Sequence, residues 1–154
     1  HIKGLIAIDH MKNVGVVLPK ETVDQLMKHL KTNFTETCMQ YAKQALITKE
    51  TAPDLVHKLL EDYGTMNPAV GIPLLHHSFN YASRQVALLS GLKQKLYLIH
   101  VDYTATNEES LKRYLGNNYE LQSLQGNCHY PMLEKPVEFN TLLEKTLSKI
   151  KNTS

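Results

Sequence analysis

Between Lys95 and Ile150 the hydrophobic pattern alternates between two periods, and that alternation restricts the fold more than any other feature of the chain. Lys95-Leu96-Tyr97-Leu98-Ile99-His100-Val101 is a short, nearly unbroken apolar run of the kind found in strands covered on both faces. Asn107 to Leu115 has helical spacing and is closed by Gly116, Tyr119 to Gln125 reads as a second strand, and Pro136 to Ile150 as a helix. In that last helix Phe139, Leu142, Leu143, Leu147 and Ile150 form one apolar stripe, with Glu138, Glu144, Lys145 and Lys149 on the wet side. Strands joined through a helix are almost always parallel, with a right-handed crossover.

The first segment repeats the strand signal. Ile2-Lys3-Gly4-Leu5-Ile6-Ala7-Ile8-Asp9 is a second apolar run suited to burial on both faces. Such a strand has neighbours on each side, so a chain starting within one reads as part of a larger sheet. From Pro19 to about Ser90 the spacing turns helical, over Glu21 to Thr32, Thr35 to Ile47 and Asp54 to Tyr63. Pro53 suits the first turn of the third helix and Gly64 its C-terminal cap. Asn67-Pro68 opens a fourth stretch, which Gly71 and Pro73 interrupt before Leu74 to Leu89 resumes. The expected architecture is α/β: about three parallel strands, formed by residues 1–15 and 91–154, with 16–90 as a helical insertion.

Composition excludes the commoner alternatives. With 154 residues, 42% hydrophobic and 21% charged, the chain suits a single core burying roughly 70% of its unfolded surface. Seventeen Lys and Arg against 15 Asp and Glu leave a net charge of +2, and the charges alternate without forming a basic stripe, which argues against nucleic acid. Cys38 and Cys128 form neither a disulfide framework nor a zinc motif. No apolar stretch is long enough to span a bilayer, and the default is a soluble, cytoplasmic protein. His10, His76-His77 and His100 lack metal-ligand spacing, and His100 in a buried strand can simply bond a backbone group, so no metal is expected.

The chemistry concentrates after the last strand. His129 lies in the loop Gln125-Gly126-Asn127-Cys128-His129-Tyr130-Pro131-Met132-Leu133-Glu134-Lys135-Pro136, at the carboxyl end of a parallel strand, where α/β sheets bind ligands. Cys128 beside it invites a thiol mechanism, but adjacent loop residues point apart, which gives a nucleophile and its base poor geometry. The stretch from Gly126 to Asn140, the preceding Leu-Ile-His-Val-Asp-Tyr and the order of elements resemble the C-terminal half of α/β-hydrolases with a helical cap. The resemblance implies that His129 is the general base of a nucleophile-His-acid triad, that the helical block is the cap, and that no metal or organic cofactor takes part.

In that family the nucleophile sits on a Gly-x-Ser-x-Gly elbow. Ser78, Ser83, Ser90, Ser110, Ser123, Ser148 and Ser154 all lack the paired glycines, so the nucleophile is expected upstream of His1. Many members carry the acid in the turn after the penultimate strand, which reads here Val101-Asp102-Tyr103-Thr104, with Thr104 in the acid's place. Asp102 matches a usually structural aspartate and is the weaker alternative. Another branch places the acid at the end of the sixth strand, the position Asp9 matches at the end of Gly4-Leu5-Ile6-Ala7-Ile8-Asp9. Asp9 is therefore the expected acid, against a plainer role as a turn cap.

The reading is a fragment of a serine-type hydrolase acting on an ester-like small molecule, inactive by itself. Met27, Met39, Met66, Phe34 and Phe79 in the helical block are candidates to line its pocket, although apolar residues at helical spacing are mostly core. The rival is a non-catalytic interaction module on a degenerate hydrolase scaffold. Exposed edge strands imply association, either between copies or with the missing N-terminal half.

Overall fold

A computed structural model describes residues 2–152; His1 and Ser154, both named above, lie outside them. The chain divides into two compact units, one reaching Val14 and resuming at Val86, the other Gly15–Gln85.

The first unit is built on three parallel strands, β1 (Leu5–Ile8), β2 (Leu96–Val101) and β3 (Tyr119–Leu124), in the order β1-β2-β3. Leu96 pairs with both Leu5 and Tyr119, and Val101 with Leu124, so β2 is the middle strand of the three. Every residue of β2 is buried, which accounts for its apolar sequence, broken only by His100. β1 departs from the expectation. It pairs on one side only among the described residues and is shorter than the apolar run, and Leu5 is exposed.

Side chains alternate along a strand, so the two faces of β2 meet different helices. Leu96 and Leu98 pack with Val14, with Leu89 of α5 (Ala82–Ser90) and with Leu111 and Leu115 of α6 (Glu108–Leu115). Leu98 and Leu111 are completely buried, each worth about 2–3 kcal/mol by area. On the other face, α8 (Pro136–Asn152) lies against β2 and β3, where Gln122 Nε2 donates to Thr146 Oγ1 at 2.8 Å. The stripe expected on α8 is therefore rotated: Phe139 and Thr146 are buried, while Leu147 is exposed. Thr146 fits there because its hydroxyl also donates to Leu142 O at 2.8 Å. Asn107 caps α6 by accepting from Ser110 N at 3.0 Å, and Gly116 closes it.

The helical unit contains α1 (Lys20–Thr32), α2 (Phe34–Tyr41) continuing as a π-helical turn (Ala42–Leu46), α3 (Pro53–Gly64), α4 (Pro68–Phe79) and the start of α5. Pro53 and Pro68 occupy first-turn positions, as their spacing predicts. Three expectations fail. Gly64 is the last helical residue and Thr65 is the cap, its N–H reaching the carbonyls of Glu61 and Asp62. Gly71 and Pro73 do not interrupt a helix but lie inside α4; the break comes at Asn80 and Tyr81. Gly71 is there for space, since a Cβ on it would sit 2.2 Å from Phe34 Cζ. Phe34 joins Val23, Met27, Leu30 and Cys38 in the core of this unit.

Candidate active site

The site forms where β1, β2 and β3 end. At the end of β1 the main chain makes one more ladder bond, Asp9 N to Ile99 O at 2.7 Å, and then turns away through two left-handed residues, Asp9 (φ 45°) and Met11 (φ 68°). Aspartate visits this region more readily than most residues, whereas at methionine it marks strain of the kind found at functional sites. The turn leaves the Asp9 carboxylate to finish the sheet: Oδ1 accepts from Val101 N at 2.7 Å.

Beyond β3 the loop is pinned by carboxylates. Asp102 Oδ1 accepts from Gly126 N at 3.0 Å, and the two oxygens of Glu134 accept from Asn127 N at 3.0 and 2.9 Å. Gly126 has no room for a side chain, because a Cβ would lie 2.6 Å from Val101 Cγ1 and 2.7 Å from Glu134 Oε2. Glu134 is held in place by a short helix that the sequence reading did not anticipate, α7 (Pro131–Glu134). Cys128 is completely buried inside the loop.

This scaffold brings His129 Nδ1 to 2.7 Å from Asp9 Oδ2. The Asp9 side chain is fully buried, the imidazole about 30% exposed. Burial alone would raise the Asp9 pKa. The hydrogen bonds from His129, Lys12 and the Val101 N–H, with the lysine's charge, outweigh it and hold the carboxyl below its ordinary range. An ionised Asp9 can only accept, so Nδ1 is the protonated nitrogen and, in the neutral ring, Nε2 carries the lone pair. No hydrogen bond to Nε2 occurs among the described residues.

The other candidates are placed elsewhere. Asp102 is exposed and supports Gly126. Burial is the largest of the effects that push the Cys128 thiol up to about 11, with Glu134 and Asp9 adding to it against the Tyr130 N–H, so Cys128 stays a thiol at neutral pH. His100 bonds through both nitrogens, to Thr106 Oγ1 at 2.7 Å and His10 O at 2.8 Å, and burial favours its neutral form. Thr104 Oγ1 accepts from Lys12 Nζ at 2.9 Å. Sequence reasoning missed Lys12 and the role of Glu134; a lysine three residues after a strand-ending aspartate is the only local sign of the first. Within the helical unit a cavity of about 530 Å³ is lined by Phe34, Tyr63, Met66 and Phe79 among others, while Met27 belongs to the core and Met39 lies against Gly64.

The fold is α/β, and two solved structures of hydrolases share it. A thermophilic esterase from Thermogutta terrifontis, in a malate-bound structure, superposes with a TM-score of 0.71 at 14% identity, over 96% of this chain and 56% of the esterase. A hydrolase from Oleispira antarctica superposes with a TM-score of 0.61 at 16% identity, over 92% of this chain and 50% of the other. The chain thus spans about half the length of each. No protein-family model and no curated protein matches the sequence.

Proposed function

We propose that this chain is the C-terminal portion of a serine-type hydrolase acting on ester bonds, in which His129 is the general base, Asp9 the acid that orients it, and the nucleophile comes from a segment preceding His1. The reading rests above all on one observation: a buried, ionised carboxylate bonded to Nδ1 of a half-buried imidazole whose Nε2 has no hydrogen-bond partner among the described residues. The esterase and hydrolase similarities add support at the level of fold.

In this reading Nε2 takes the proton of the attacking hydroxyl as its oxygen bonds the substrate carbonyl carbon, and the imidazolium is stabilised by Asp9 across Nδ1–H. The same proton passes to the departing alcohol as the ester bond breaks. A water then repeats the sequence on the acyl intermediate, with Nε2 as its base, and releases the acid. Asp9 keeps the ring in the tautomer with its lone pair on Nε2. Asp102, bonded to the backbone of the His129 loop, has a supporting role.

The test has two parts. The coding sequence upstream of His1 is expected to contain a strand, a Gly-x-Ser-x-Gly turn and a helix. The intact protein is expected to hydrolyse short p-nitrophenyl esters, with turnover abolished by His129→Ala. An upstream segment without the elbow, or hydrolysis that survives the loss of His129, overturns the proposal. Clear turnover by residues 1–154 alone, lost with His129, would put the nucleophile inside this chain.

A further inference from the structure

Lys12 is held in a way a surface lysine is not. Its Nζ lies 2.8 Å from Asp9 Oδ1, donates to Val101 O at 2.6 Å and to Thr104 Oγ1 at 2.9 Å, and has a longer contact with Thr104 O at 3.3 Å. An ammonium has three protons, and the three short contacts use them all. The Tyr103 ring closes over it, with Nζ 4.4 Å from the ring centroid, and the side chain is only 10% exposed. Immobilising and drying a lysine to this extent is costly, yet Asp9 already has bonds from Val101 and His129.

We infer that Lys12 is a positioning residue for the Asp9–His129 pair: it holds Oδ1 so that Oδ2 faces Nδ1, and its positive charge offsets part of the carboxylate's field at the ring. The inference rests on the acid and base roles proposed above. It also gives Thr104 a function, since the residue in the other branch's acid position is an uncharged acceptor that leaves the lysine's charge to Asp9.

The surrounding groups do not duplicate this charge. His100 is kept neutral mainly by burial and lends one nitrogen to His10 O; Cys128 remains a thiol; the Glu134 carboxylate is bound by Asn127 N–H, and that of Asp102 by Gly126 N–H. Among the described residues Lys12 is the cation in contact with Asp9. A positive charge beside the pair disfavours the imidazolium, so its removal makes His129 easier to protonate.

The experiment is an NMR titration of the His129 ring in the wild type, Lys12→Gln and Lys12→Arg, with amide spectra monitoring the fold. Lys12→Gln is expected to move the ring's titration midpoint up by about one pH unit, a tenfold gain in proton affinity, and Lys12→Arg to restore most of the shift. A folded Lys12→Gln whose midpoint coincides with that of the wild type overturns the inference. Should that variant not fold, the wild-type Lys12 Nζ resonance carries the test: it is expected to shift as the His129 ring titrates, and an invariant resonance overturns the inference. Neither readout needs turnover. Coupled titration in an inactive intact protein faults the proposed function alone, and uncoupled titration in an active hydrolase faults this inference alone.

Discussion

His129 Nδ1 lies 2.7 Å from Oδ2 of Asp9, across 120 positions of sequence. The two residues end β1 and follow β3, and β2 between them supplies the Val101 N–H and carbonyl that bind Asp9 and Lys12. The pair is thus assembled by the parallel alignment of three strands that end on the same side of the sheet, β1 stopping at Ile8 opposite Ile99 while β2 and β3 run on to Val101 and Leu124.

If, as proposed, Asp9 orients a general base at His129, Asp9→Asn in the intact protein should lower kcat for ester hydrolysis by roughly 10⁴-fold, because an amide can stabilise the wrong imidazole tautomer and cannot balance its charge. Asp102→Asn, which keeps an oxygen for Gly126 N, should cost less than tenfold. Steady-state kinetics on both variants decide the assignment, and the reverse order of effects would make Asp102 the acid.

The lowered pKa of Asp9 also predicts how stability depends on pH. A carboxyl depressed on folding contributes its full stability above its ordinary value of 3.8 and loses it as pH falls through the lower folded value. Replacing Asp9 by Asn also leaves the Lys12 ammonium, only 10% exposed, without its counter-charge, so the variant should be less stable by about 3–5 kcal/mol at neutral pH. That gap should hold down to about pH 4 and narrow below it. Urea denaturation of both proteins across this range checks the sign.

Two helical glycines should respond oppositely to alanine. At Gly71 the new methyl would collide with Phe34, and overpacking of this kind costs about 1–3 kcal/mol, more than the helix propensity gained. At Gly64 the nearest atom is Met39 Sδ at 3.7 Å, an ordinary contact, so alanine should be neutral or stabilising by up to about 1 kcal/mol. Thermal melts of Gly71→Ala and Gly64→Ala suffice.

Neither cysteine should react in the native protein. Cys38 and Cys128 are both buried, and burial raises both thiols, Cys128 to about 11. Iodoacetamide at about pH 8 should label neither until the chain is unfolded, as mass spectrometry of native and denatured samples would reveal. Rapid native labelling of Cys128 would mean that the loop opens.

Much of the scaffold can be read from the sequence by itself, because its signals are short-ranged. Pro53, Pro68 and the Asn107–Gly116 pair set helix ends through backbone conformation and capping, and the apolar run of β2 announces a strand covered on both faces. His129 stands out in the sequence as an imidazole in the loop after a parallel strand, and Asp9 through a resemblance. What only the tertiary structure decided are contacts between side chains distant in sequence: Asp9 with His129, Lys12 with Thr104, Phe34 against Gly71, and Thr146 buried in place of Leu147. Those depend on strand register and helix rotation, which arise when the core packs and which no local pattern encodes.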